Sequence, residues 1–105
     1  MTIGIKNLLG SLGLAMSAGK LVAGATLFDK IKKNKVLLVL TVNDMGPSQL
    51  KKINDKCNFY KIPIYQGLVS TDELNQAIGK TNTKAVGVID PNFKKLIEKN
   101  IAKEM

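Results

Sequence analysis

Gly24 separates a short apolar stretch, Lys20-Leu21-Val22-Ala23, from a segment over residues 25–34 that carries Lys30, Lys32 and Lys33. A glycine at such a junction delivers the chain to the mouth of a helix. There the backbone N–H groups lack intrahelical partners and the helix dipole leaves partial positive charge. That combination suits a phosphate. Gly24, Ala25 and Thr26 would supply amides, and Lys20, Lys30 and Lys33 ammonium groups. Two further turns extend the set: Asn43-Asp44-Met45-Gly46-Pro47, and the polar loop from Gly79 and Lys80 to Lys84. If these three turns meet on one edge of the fold, they form a surface for a polyanion.

Other chemistry finds little support. Gly79-Lys80-Thr81 ends like a nucleotide phosphate loop, but that motif needs a glycine where Leu74 stands, and a strand before it rather than after it. Gly10 and Gly13 lack the preceding strand of a dinucleotide fingerprint. Cys57 is the only cysteine and histidine is absent, so a thiol nucleophile would have no imidazole base. An internal disulfide is excluded and zinc ligation nearly so. At an apolar helical position Cys57 reads as a small core residue. Asp72 and Glu73 follow Ser70-Thr71 and fit the first turn of a helix better than an acid–base pair. No catalytic residue, metal or cofactor is expected.

The chain has 105 residues, 45% of them hydrophobic, enough for one sizeable core. A chain of this length hides roughly two thirds of its unfolded surface on folding. Its net charge is +8, the electrostatic footprint of a nucleic-acid binder. Every basic residue is lysine. Lysine neutralises phosphate as a point charge, whereas arginine makes the two-pronged contact that reads guanine edges. Recognition should therefore lean on backbone, shape and loop geometry. Aromatics are only 5%, and Phe59, Tyr60 and Tyr65 gather around a helix end and a strand. That argues against stacking platforms for single strands and in favour of a structured RNA read by its shape. No apolar run reaches the roughly 18 residues of a membrane span, and the N-terminus lacks a signal-peptide pattern. A cytoplasmic location is expected.

The elements that must position these residues alternate along the chain. Ile5, Leu8, Leu9, Leu12 and Met16 recur at helical spacing, and Gly19 is a stop signal. The helix over 25–34 places Leu27, Phe28 and Ile31 inward. Residues 36–42 are continuously apolar and read as a central strand buried on both faces. Pro47 or Ser48 opens a third helix with Leu50, Ile53 and Cys57 inside. A short strand around Ile62-Pro63-Ile64-Tyr65 follows, then a helix from Glu73 to Ile78 capped at Ser70-Thr71. A strand over 85–89 comes next, and Asp90 caps a last helix bearing Phe93, Leu96, Ile97 and Ile101 inward. Lys95, Lys99 and Lys103 form its solvated face. This alternation predicts a three-layer α/β/α sandwich, a single domain over 1–105, with a four-stranded mostly parallel or mixed sheet.

Taken together, Leu8-Leu9-Gly10, Leu12-Gly13-Leu14-Ala15, Ala18-Gly19-Lys20, Asp55-Lys56-Cys57-Asn58-Phe59-Tyr60 and Leu74-Asn75-Gln76-Ala77-Ile78-Gly79-Lys80 resemble the ribosomal L7Ae/L30e family of kink-turn RNA-binding proteins, in its small bacterial YlxQ-type branch. The resemblance covers nearly the whole chain and implies the same sandwich. It also implies an RNA site in three parts. The first is a helix mouth at Gly24, Ala25, Thr26, Leu27 and Lys30, where Thr26 and Leu27 replace the polar and acidic residues that touch sheared G·A pairs in family members. An apolar Leu27 cannot accept a guanine proton. The second is the loop Asp44, Met45, Gly46 and Pro47. The third is a loop around Leu74, Asn75, Ala77, Ile78, Gly79 and Lys80, with Asn75 in place of the family's first glycine. The resemblance thus implies a non-enzymatic, ribosome-associated binder of kinked RNA, and a monomer is expected. The alternative is a protein-interaction scaffold that kept the fold and lost kink-turn recognition, with Leu27 in a partner patch.

Overall fold

The computed structural model describes residues 3–104, with side chains from 4 to 102. The order is α1 (Ile3–Ser17), β1 (Leu21–Ala23), α2 (Gly24–Lys32), β2 (Leu38–Thr41), α3 (Pro47–Phe59), β3 (Ile64–Gln66), α4 (Thr71–Ile78), β4 (Ala85–Val88) and α5 (Pro91–Glu104). Every expected element is present. Boundaries shift by a few residues: β2 begins at Leu38, and Pro63 lies before β3 rather than within it. Without an N–H, Pro63 serves the sheet by its carbonyl alone, which accepts from the Val39 amide at 2.9 Å. The Lys103 side chain lies outside the described residues.

The strands lie in the order β1-β4-β2-β3. β4 runs antiparallel to both β1 and β2, and β2 parallel to β3. Of the two sheets anticipated, the structure has the mixed one. β1, β2 and β3 point the same way, with α2 and α3 carrying the chain back between them. After α4, the polar loop over 79–84 returns the chain to the edge where β3 ended, so β4 enters from there. The ends of β1, β2 and β3 and the start of β4 therefore share one edge, the loop edge.

Strand alternation sorts the core into two layers. Leu38, Leu40, Val86 and Val88 face α1, α4 and α5, against Leu8, Leu12, Leu74, Ile97 and Ile101. Val39 faces α2 and α3 with Leu27, Ile31, Ile53 and Cys57. Gly87 fixes how closely α2 approaches the sheet. A Cβ there would lie 2.5 Å from Leu27 Cδ1 and 3.0 Å from Val36 Cγ1. Leu27 is thereby seated as a knob, and the mouth of α2 is held over the loop edge.

Candidate nucleic-acid interface

Three helix mouths open on the loop edge. At α2 the residue before the helix, Ala23, is extended and offers no side-chain cap. Gly24 follows at φ +62°, in the left-handed region where a side chain is strained. No acid lies in the first turn, and Ala25 and Thr26 are exposed. At α3, Gly46 likewise provides no side-chain cap, and Pro47 removes one donor from the first turn. At α4 the mouth is closed: Ser70 Oγ accepts from the Glu73 amide at 3.1 Å, and the Ser70 amide donates to Glu73 Oε1 at 2.9 Å.

The loops beside these mouths are tied to one another. Asp44 Oδ1 accepts from the Thr71 amide at 3.0 Å and from Thr71 Oγ1 at 2.8 Å. Lys84 Nζ donates to Thr71 Oγ1 at 3.3 Å. The Thr71 hydroxyl, then its amide, and the Lys84 charge hold the Asp44 carboxyl below the usual value against a partly opposing desolvation. Asn75 secures the α4–β4 loop: its Nδ2 donates to the Thr71 and Thr83 carbonyls at 2.7 and 2.8 Å, and its Oδ1 accepts from the Thr83 amide at 2.9 Å. Gly79 ends α4 at φ +70°, its amide bonded to the Asn75 carbonyl. Between α2, α3 and this loop lies a groove of about 430 Å³. Leu27, Phe28, Met45 and Ile53 contribute apolar lining; Gly24, Gln49, Lys52 and Lys84 contribute polar groups.

Gly24, Ala25, Thr26, Asp44, Met45, Gly46 and Pro47 are thus brought to one edge, whereas Gly79 and Lys80 stand at the C-terminal end of α4, where the loop back to that edge begins. Lys30 is half-buried in the second half of α2, about 9 Å along the axis from Gly24. Five anticipated contacts are placed otherwise, two at the far edge and three turned inward. Lys20 leads into β1 and so lies at the opposite edge, because β1 runs toward the loop edge. Lys33 ends α2 on that far side and pairs with Asp29 at 3.2 Å. Leu27 is 1% exposed, so its side chain can enter neither an RNA contact nor a partner patch. The Asn75 amide is fully engaged within the protein, and Ile78 is buried and offers backbone only. Lys52, Gln49 and Asn82 join the groove without having been singled out in the sequence. Their only signal was Lys52, which sits on α3 little more than a turn beyond Pro47. Cys57 is buried and its thiol is pushed up to about 11 by desolvation, which keeps it protonated and inert. Among the described residues no helix is long and apolar enough to cross a membrane.

Comparison with known proteins places this arrangement. Residues 6–98 match the model of the ribosomal protein L7Ae/L30e/S12e/Gadd45 family. The chain is 42% identical over 83 residues to RNA-binding protein YlxQ of Bacillus subtilis, covering 78% of this chain and 82% of the relative. It is 39% identical over 85 residues to RNA-binding protein YlxQ of Enterococcus faecium, covering 80% and 81%. A solved protein of unknown function from Bacillus halodurans superposes with TM-score 0.83 at 32% identity, over 90% of this chain and 96% of the other. The Giardia lamblia 15.5kD RNA binding protein shares the fold, with TM-score 0.76 at 16% identity, over 98% and 89%.

Proposed function

The chain belongs to the ribosomal protein L7Ae/L30e/S12e/Gadd45 family, and from that premise we propose that it is a non-enzymatic, ribosome-associated protein that binds kinked, structured RNA at its loop edge. The observation that carries this reading is the mouth of α2: glycine-led, uncapped by any side chain and without an acid in its first turn. The amides of Ala25 and Thr26 meet a backbone phosphate at the bend, and the dipole of α2 favours its charge. Lys30, Lys52, Lys80 and Lys84 neutralise neighbouring phosphates. Phe28 and Met45, the partly exposed apolar residues of the groove, take the face of a nucleotide splayed out by the kink, and the tied loop at Asp44 packs its backbone against it. Recognition is thus by shape, as an all-lysine surface requires.

With Leu27 inside, the family's acidic contact at that position has no counterpart, and Thr26 is the polar side chain left at the mouth. The same burial removes the feature that favoured a scaffold. The YlxQ relatives are named as RNA-binding proteins, which supports an RNA partner. Three to five neutralised phosphates would give a log–log salt slope of roughly −2 to −5. Titration at low and moderate salt with a kink-turn RNA and a straight duplex of equal length tests the reading. It predicts tighter binding of the kinked RNA at both salts, and equal affinity for the two would contradict it.

A further inference from the structure

The edge opposite the α2 mouth is basic as well. Lys20 leads into β1, Lys35 precedes β2 and Lys61 precedes β3, so each of the three strands that run the same way is entered from a lysine region. β2 and β3 are hydrogen-bonded neighbours, with Val39 beside Ile64, so the segments carrying Lys35 and Lys61 approach the sheet about 5 Å apart. Lys56 lies in the last turn of α3 on the same side. The acids at this end are engaged: Asp29 by Lys33 at 3.2 Å, Asp55 by Lys51 at 3.0 Å, and Asp90 by the Phe93 amide at 3.1 Å. Among the described side chains no ion pair holds Lys20, Lys35, Lys56 or Lys61.

In the last turn of α3, beside Lys56 and two residues before Lys61, Phe59 is 78% exposed, the most exposed large hydrophobic residue of the described chain; Asp55, paired with Lys51, borders the same hollow. Tyr60 packs edge-on to Phe59, ring centroids 4.9 Å apart at 75°, and is itself packed against the α2–α3 core. The Phe59 ring is thus braced on one side by an anchored neighbour, with most of its surface open. A lysine in the last turn of a helix is accounted for by the helix dipole, which covers Lys33 and Lys56. Lys20, Lys35 and Lys61 close the C-termini of α1, α2 and α3 with their amides, so the dipole favours them too, but it does not account for a phenyl ring left in water among them.

We propose that this far edge is a second RNA surface, which takes a single-stranded segment by stacking a base on Phe59 and neutralising its phosphates with Lys35, Lys56 and Lys61. A single strand presents the two chemistries this surface matches, an aromatic face and a line of anions. An acidic peptide matches the lysines alone. Low aromatic content argues against an extended platform, yet one braced ring suffices for one base. The molecule measures 33 × 29 × 26 Å, so a protein holding a kinked duplex at one edge and a strand at the other joins two RNA elements within about that distance.

The test is fluorescence anisotropy with a short uridine oligomer at low salt, using the full chain and three variants. Phe59→Ala is expected to weaken the oligomer about fivefold or more, since one stacked base contributes that much. The double variant Lys35→Gln/Lys61→Gln is expected to flatten the salt slope by about 1 to 2. Thr26→Asp, at the α2 mouth, is expected to leave the oligomer unaffected. Kink-turn RNA affinity is expected to be unchanged by Phe59→Ala, so failure of the first reading and of this one are separable. The proposal is overturned if neither far-edge variant affects the oligomer, or if only Thr26→Asp does. A short polyglutamate that binds as tightly as the oligomer and is equally insensitive to Phe59→Ala would overturn it in favour of an acidic protein partner.

Discussion

The mouths of α2 and α4 open on the same edge of the same sheet, and only one of them is available to an anion. Both helices present unpaired amides and the positive end of a dipole. At α4 the sequence closes that end with Ser70 and Glu73 in a reciprocal capping box, and adds Asp72 to the first turn. At α2 it places Ala23 before the helix, Gly24 at its start and no acid in the first turn. The geometry of a helix end makes anion binding possible, and its first few side chains decide whether the end is filled from within or left for a ligand. α4 gains local stability by being filled; α2 forgoes it, and Leu27 seated on Gly87 fixes the helix instead.

That comparison can be broken most severely at its anchor. Leu27→Glu places a carboxylate in a site 1% exposed to solvent, and is expected to cost about 3–5 kcal/mol in a urea melt. It would therefore not restore an acidic RNA contact, and a stable variant with improved RNA affinity would refute the seating of Leu27. Thr26→Asp sharpens the contrast, because two measurements should move in opposite directions. An acid in the first turn of α2 is expected to stabilise the fold by about 0.3–1 kcal/mol while weakening kink-turn RNA about tenfold by repelling phosphate. Ser70→Ala is the counterpart at the closed mouth: a loss of about 1 kcal/mol in thermal stability, with RNA affinity within about twofold of the parent.

The smallest effect concerns the tie between the loops. The Thr71 hydroxyl holds Asp44 below its ordinary value, so the charged carboxylate is favoured in the folded state. Its contribution is fully present above the ordinary carboxylate value of 3.8 and is lost as pH falls through the lower folded value. An NMR titration should show the Thr71 amide shifting only below that range, and Asp44→Asn should remove the transition.

Features written in local sequence were legible before the structure. Gly24 and Gly79 both adopt positive φ, and Ser70 with Glu73 forms the cap its spacing implied. The continuous apolar run became the central β2. What escaped depends on partners distant in the chain. Helical spacing put Leu27 inward, whereas carrying over the family position put it at the RNA; Gly87, on another strand, decides for the first. Asn75 is turned inward by Thr83, beyond the end of its own helix. Lys20 lies on the far edge because the whole of β1 stands between it and Gly24. The exposure of Phe59 was equally hidden, since an aromatic near a helix end reads the same whether buried or bare.

The most direct test follows the backbone amides by NMR as kink-turn RNA without single-stranded tails is added. The account predicts that the amides of Gly24, Ala25 and Thr26 shift most, while those of Asp72 and Glu73, closed within their capping box, stay near their free positions. Large shifts at Asp72 and Glu73 with Gly24, Ala25 and Thr26 unmoved would contradict it.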